Sequence, residues 1–171
     1  LYPSSMIAGN ISHDSYISED AYNIKRDYYE SLTDYNYNIV NYDINIKDDK
    51  DPKKIIKTIY KTCIFAEHKN KKAVLPRILQ KLLAARKNTR AKIKTETDPF
   101  KISILEGLQL AFKLTANSIY GQCGAATSAI SFKELAASTT AVGRRMLEFA
   151  RDHTLKTFEG SVCVYGDTDS V

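Results

Sequence analysis

Asp167 and Asp169 stand one residue apart in the stretch VYGDTDSV, just past an apolar run (Val162, Val164, Tyr165) broken by Gly166. Along an extended chain, residues i and i+2 project to the same side. The two carboxylates can therefore face one point if the turn keeps a near-extended path. Like charges sharing a site stay ionised only when a cation neutralises them. Hard oxygen donors, with no histidine or cysteine in the motif, favour magnesium, which keeps waters and substrate phosphates in its shell. The ordinary alternative is an acidic turn that is merely solvated.

A second constellation is cationic. Lys113, Asn117 and Tyr120 recur at i, i+4 and i+7, which puts them on one stripe of a helix. Arg86 and Arg90 lie one helical turn apart in the preceding apolar-periodic segment. If the two segments form an antiparallel pair, these stripes can share a side, offset by several residues. At about 1.5 Å per residue the gap is roughly 10 Å, short enough for a polyphosphate and long cationic side chains to bridge. Arginine's fork and lysine's point charge are the usual phosphate ligands, although a plain basic helix face would read the same. In LYPS, Tyr2 precedes Pro3 and is expected in an extended or turn conformation, where it could also be a simple packed tyrosine.

The elements that must position these residues are legible to different degrees. Residues 1–17 mix apolar and small residues and read as buried. Residues 18–60 are polar and rich in Tyr and Asn; YNYNIVNYDINI alternates as one or two strands, and KDDKDPKK is a loop with a turn at Asp51-Pro52. The tyrosines there read as sheet packing rather than a platform for stacking bases. CIFAEHKNKKAVLP resembles a short hairpin. PRILQKLLAARKNTRAKIKTE is a helix opened by Pro76, with Ile78, Leu79, Leu82, Leu83 and Ala85 on its apolar face. A short turn leads to Asp98 as N-cap and Pro99 at the first helical position. The second helix runs to near Gly121, and the pair makes an antiparallel hairpin. A third helix opens at Ser131 and Glu134 as a capping box, carrying Leu135, Val142, Met146 and Phe149 on one side. Gly160 then turns the chain into a strand, SVCVY. The class is α+β, with helices inserted between two sheet-bearing halves.

Composition narrows the function classes. The chain has 171 residues, 43% hydrophobic, with a formal net charge of +5. That is room for one domain or two subdomains on a common base, and the charge leans toward polyanionic partners without requiring one. Cys63, Cys123 and Cys163, with His13, His68 and His153, show no CxxC or HxxxH spacing. This argues against zinc and against a disulfide framework, and points to a reducing, intracellular compartment. No apolar run approaches the roughly 18 residues needed to span a bilayer, and no signal peptide opens the sequence.

Taken in order, LYPSSMIAGNIS, LPRILQKLLAARKNTR, KLTANSIYG and VYGDTDSV resemble the palm and fingers of family B DNA polymerases, closest to the delta-like branch that includes enzymes of large double-stranded DNA viruses. The resemblance covers nearly the whole chain except about residues 18–62. It implies a palm, an antiparallel sheet with packing helices, with an inserted helical-hairpin fingers subdomain: residues 1–62 the first part of the palm, 63–122 the fingers, 123–171 the second part. By resemblance, the backbone at Leu1 and Tyr2 holds the incoming triphosphate, and the Tyr2 ring is the steric gate against a ribose 2′-hydroxyl. Arg86 and Lys113 match triphosphate ligands, Arg90 a further basic position, and Asn117 a residue lining the nucleotide pocket. Tyr120 and Gly121 match residues packing beneath the nascent base pair. Asp169 matches a metal-binding carboxylate, Asp167 its supporting neighbour, and Thr168 shapes the turn; Asn10 is structural.

The implied reaction is template-directed attack of a primer 3′-hydroxyl on a deoxynucleotide, with two Mg2+ ions assisting. One metal-binding aspartate of the family would lie upstream of Leu1. The missing initiator methionine and the two ends inside motifs suggest a fragment of a larger replicative polymerase, inactive by itself. Implied partners are primer–template DNA, dNTPs and a processivity factor, with no membrane, in the host nucleus or a cytoplasmic viral factory. Two other readings stay open: a catalytically inactive polymerase relative with a structural or DNA-binding role, and a generic basic nucleic-acid-binding domain. The first predicts Ala or Asn in place of the upstream aspartate. The second predicts salt-dependent binding with no preference for a primer end.

Overall fold

The computed structural model describes residues 2–48, 51, 53–167 and 170. The elements run α1 (Tyr2–Ala8), β1 (Tyr16–Ser18), α2 (Glu19–Ile24), α3 (Arg26–Ser31), β2 (Tyr35–Lys47), β3 (Ile55–His68), α4 (Val74–Ile93), α5 (Pro99–Gly124) and α6 (Lys133–Thr157). This is the expected α+β class. Among the described residues no helix is long and apolar enough to cross a membrane.

Tyr2 is not extended, as its place before proline had suggested; it is the first residue of α1. Proline is tolerated in a first helical turn because its missing N–H has no intrahelical partner there. Pro3, Ser5 and Met6 are buried, so burial of this face overrides the local preference.

YNYNIVNYDINI forms a single strand, β2, within a three-stranded antiparallel sheet of order β1-β3-β2. CIFAEH is not one arm of a short hairpin but the second half of β3, which pairs with β2 from Tyr35↔His68 to Lys47↔Ile55. The connection contains the expected loop, closed by Asp48 N–H to the Lys54 carbonyl at 2.9 Å. The strand was missed at its start because Ile55–Tyr60 lies outside the core and lacks a buried face. Ile55, Ile56 and Tyr60 are all exposed.

Helices α2 and α3 were not expected. Their signal was present in SEDA: the Ser18 hydroxyl accepts from Ala21 N–H at 3.3 Å, and Glu19 and Asp20 occupy the first turn, where acids favour the helix dipole. The tyrosines of this region pack on one another. Tyr22 stacks on Tyr29 with centroids 5.4 Å apart, and both meet Tyr37 edge-on.

The α1–β1 loop and the start of α4 are joined through side chains. Ala73, the α4 N-cap, has no side chain to satisfy the orphan N–H groups of the first turn. The loop supplies the acceptors instead: Asn10 Oδ1 takes Ala73 N–H at 2.9 Å, Asp14 takes Val74 N–H, and Ser12 Oγ takes Leu75 N–H at 3.3 Å. Asn10 Nδ2 also donates to the Ala66 carbonyl of β3 at 2.8 Å. Asn10 takes a left-handed backbone, φ 50°, a region that asparagine tolerates better than most residues.

The helical pair packs antiparallel, with residues 94–98 as the turn. Asp98 caps α5 by accepting Phe100 N–H at 2.9 Å, with Pro99 at the first helical position. Asp98→Ala should therefore lower stability by about 1 kcal/mol, read as a shift of the urea midpoint at unchanged m-value. Helix α5 continues through Gly121 to Gly124, because Cys123 is fully buried and keeps the last turn against the core.

Two expectations after Gly121 fail. Ser131 and Glu134 form no capping box: the N-cap is Phe132, without a side-chain cap. The Phe132 ring packs edge-on against Tyr16 at 4.8 Å, and its N–H donates to the Cys123 carbonyl at 2.7 Å. Tertiary packing thus sets the helix entry, and Glu134 faces Lys61 at 3.6 Å. The second is SVCVY, which is not a strand. Residues 161–166 carry no ladder among the described residues, and Val162 and Val164 are 78% and 94% exposed. Apolar β-branched residues express strand preference only where a neighbouring strand completes their hydrogen bonds. On α6 the predicted apolar side is buried at Leu135 and partly at Val142, then runs out into solvent at Met146 and Phe149.

One core binds the pieces: Met6, Ile11, Val40, Cys63, Phe65, Leu79, Ala116, Cys123 and Leu135. It takes side chains from α1, both long strands and all three long helices. All three cysteines are free thiols, and burial pushes the Cys123 thiol pKa up.

Candidate functional site

The α4–α5 face carries the cationic constellation. Helix α5 presents Lys113 and Asn117 to solvent and brings Tyr120 down onto the core. Across from it, Arg86 and Arg90 project from α4. The Arg86 Nε–H donates to Gln109 Oε1 at 3.3 Å, and Gln109 lies one turn before Lys113 on the same stripe of α5. The two predicted stripes therefore do share a side. Arg86 meets α5 about 6 Å from Lys113 along the axis, reckoned at about 1.5 Å per residue, closer than the offset expected from sequence.

Below Arg86 the α4 surface opens into a groove of about 370 Å³ lined by Leu83, Arg86, Lys87, Arg90, Ala91 and Lys94. Lys87 and Lys94 were not singled out from sequence, though the run of basic residues through this helix was the available signal. The lining has four cations and no carboxylate, so its field favours a polyanion.

Tyr2 and Tyr120 stack face to face, with centroids 4.0 Å apart and planes 11° from parallel. Burial first, and the neighbouring Tyr2 second, push the Tyr120 phenol pKa up, so it remains a neutral hydroxyl at physiological pH. Beside it, Gly121 leaves room: a Cβ there would meet nothing within 4 Å. A glycine inside a helix costs about 0.5–1 kcal/mol relative to alanine, and no packing among the described residues requires that cost.

The acidic turn is built separately. Asp167 and Ser170 exchange two backbone hydrogen bonds of 2.9 Å just after residues 161–166. Ser161 Oγ ties the start of that stretch to the Thr154 carbonyl of α6 at 3.5 Å. Asp167 is exposed. Asp169, Thr168 and Leu1 lie outside the described residues, among which no group of three or more metal-ligating side chains occurs. The structure thus brings Arg86 to the Lys113 stripe, with Arg90 in the adjoining groove, and Tyr2 to Tyr120.

These features can be set against known proteins. The family model for DNA polymerase family B matches residues 1–171. The DNA polymerases of Phaeocystis pouchetii virus and Pyramimonas orientalis virus are each 41% identical to it over alignments that cover 100% of this chain and 19% and 17% of theirs. The DNA polymerase delta catalytic subunit of Dictyostelium discoideum is 35% identical, covering 100% of this chain and 14% of its own. The chain thus spans less than a fifth of the length of these curated relatives. The family B DNA polymerase of the archaeon Pyrobaculum calidifontis matches 99% of this chain and 18% of its own, with a TM-score of 0.61 at 24% identity, a likeness of fold. From the match along its full length and the relatives that cover all of it, the chain belongs to DNA polymerase family B.

Proposed function

We propose that this chain is the palm and fingers portion of a template-directed DNA polymerase, with residues 1–62 and 123–171 as palm and 63–122 as fingers. The observation that carries the proposal is the α4–α5 face, where Arg86 is bonded to the stripe bearing Lys113. A triphosphate laid along that face would be neutralised by Arg86 and Lys113, with Arg90 beside them and Asn117 one turn further along α5.

Tyr2, held flat on Tyr120, would form the wall against the sugar, with the Leu1 backbone next to it. Gly121 leaves open space beside Tyr120 that a base pair could occupy. Templated pairing then selects the base by shape, and the helical pair closes on the correct one.

The donor set of the acidic turn, oxygen only, fits a hard divalent cation such as Mg2+. Asp167 and Asp169 would hold it. The chemistry two such ions supply when bound is activation of the primer 3′-hydroxyl and charge neutralisation on the departing pyrophosphate. The partners that follow are primer–template DNA and dNTPs, with a processivity factor for the intact replicative enzyme, working inside the cell at the site of DNA replication. These three relatives are more than fivefold longer than the stretch each shares with this chain, which is consistent with a part of a larger polymerase.

The test is sugar discrimination in the intact enzyme. Tyr2→Ala should reduce the preference for dNTP over rNTP, measured as a ratio of kcat/KM, by about 10- to 200-fold. Tyr2→Phe keeps the ring and the stack and should leave the ratio within about twofold of the parent. An unchanged ratio in Tyr2→Ala would remove Tyr2 from the sugar pocket.

A further inference from the structure

We propose that Gln109 is a positioning residue for Arg86, part of a three-member relay that aims the arginine's free donors at an anionic ligand. The inference rests on the nucleotide-binding role given to Arg86 above, and it concerns a residue that the motif KLTANSIYG does not include.

The geometry determines which way each group points. Gln109 Nε2 donates to Glu106 Oε2 at 3.0 Å. A carboxylate can only accept, so this bond requires the amide to turn its nitrogen toward Glu106 and its oxygen away. That oxygen accepts the Arg86 Nε–H at 3.3 Å. Arginine has five N–H donors in a rigid fork, one on Nε and four on the two terminal nitrogens. Using Nε for the protein leaves the four terminal donors, which are the ones suited to paired recognition of phosphate oxygens.

The neutrality of Gln109 is part of the design. An amide oxygen fixes the guanidinium without cancelling its charge, whereas a carboxylate at the same place would compete with a phosphate for it. Arg86 and Gln109 are both half-buried, so the bond is partly shielded from water and holds a side chain that would otherwise sample many rotamers. Glu106 and Gln109 are i and i+3 on α5, and Lys113 follows at i+7. One stripe of α5 thus carries the anchor, the positioner and the second cation in sequence. Arg90, exposed and with no such support given by Gln109, is left as the looser of the two α4 arginines.

The experiment is steady-state incorporation by the intact polymerase, with dNTP concentration varied and primer–template affinity measured in parallel. Gln109→Met keeps side-chain length and removes the acceptor. It should raise KM for dNTP by about fivefold to tenfold, in line with the net worth of one ordinary intramolecular hydrogen bond, with kcat within about twofold and primer–template affinity unchanged. Lysine has no Nε–H in a fork, so in an Arg86→Lys background Gln109→Met should change KM by less than about twofold. A merely structural Gln109 would produce the same loss in both backgrounds, and that result would overturn the proposal, as would an unaltered KM in Gln109→Met. Gln109→Leu repeats the comparison should the methionine variant fold poorly, judged by its melting temperature. Arg86→Ala separates the two levels: if it leaves KM for dNTP unchanged, the binding role of Arg86 fails; if it raises KM while Gln109→Met does not, only the relay fails.

Discussion

Asp169→Ala in the intact enzyme is expected to abolish nucleotide addition, with kcat lowered at least about a thousandfold while binding of primer–template DNA is kept. A carboxylate that helps hold divalent ions at the reacting phosphate acts through charge that develops only as the bond forms. Its loss therefore falls on kcat rather than on affinity. Ions of this kind are worth several kcal/mol of transition-state stabilisation, and about 4 kcal/mol corresponds to roughly a thousandfold. Asp167→Asn should cost less than Asp169→Ala, since Asp167 is assigned the supporting role. Rapid-quench extension of a labelled primer by one nucleotide measures both. Intact synthesis by the Asp169 variant would show that this turn does not hold the ions.

Asn10→Ala is expected to be the most destabilising substitution in the α1–β1 loop, by about 3–5 kcal/mol. Asn10 is 1% exposed, and both ends of its amide are used, toward Ala66 O and Ala73 N. Truncation leaves the part-buried Ala66 carbonyl and the buried Ala73 N–H without these partners, at about 1–1.5 kcal/mol each. It also asks an alanine to hold φ 50°, which costs a further 1–2 kcal/mol or so. Asn10→Gly separates the two causes: it keeps the backbone conformation and loses only the bonds, so it should recover about 1–2 kcal/mol. Urea unfolding of the chain followed by circular dichroism reads both, and equal midpoints for the alanine and glycine variants would refute the backbone contribution.

How much of this was legible in the sequence differs element by element. Helices α4 and α5 were readable because their apolar periodicity is long and Asp98-Pro99 is an unambiguous start signal. The strand β3 was split because half of it is exposed on both faces, so neither alternation nor an apolar run marks Ile55–Tyr60. The capping box at Ser131 looked complete by residue type, yet Phe132 displaced it: burying an aromatic ring against Tyr16 outweighs a single side-chain cap. In SVCVY the residue preferences were correct for a strand and no partner strand completes it among the described residues. Gln109 was passed over because a lone glutamine carries no chemical signal until its neighbours across the helix pair are known.

The sequence alone determined the residue chemistry and its local geometry: which side chains share a helical stripe, where α5 begins, and that an acidic turn follows an apolar stretch. Those depend on spacing of a few residues, and regular backbone periods convert such spacing directly into direction. Only the tertiary structure decided what meets across long separations: Tyr2 on Tyr120, Arg86 on Gln109, and Asn10 between β3 and the first turn of α4. Such contacts arise from how the elements pack around the shared core, and packing depends on the complementarity of whole surfaces rather than on any short run of residues.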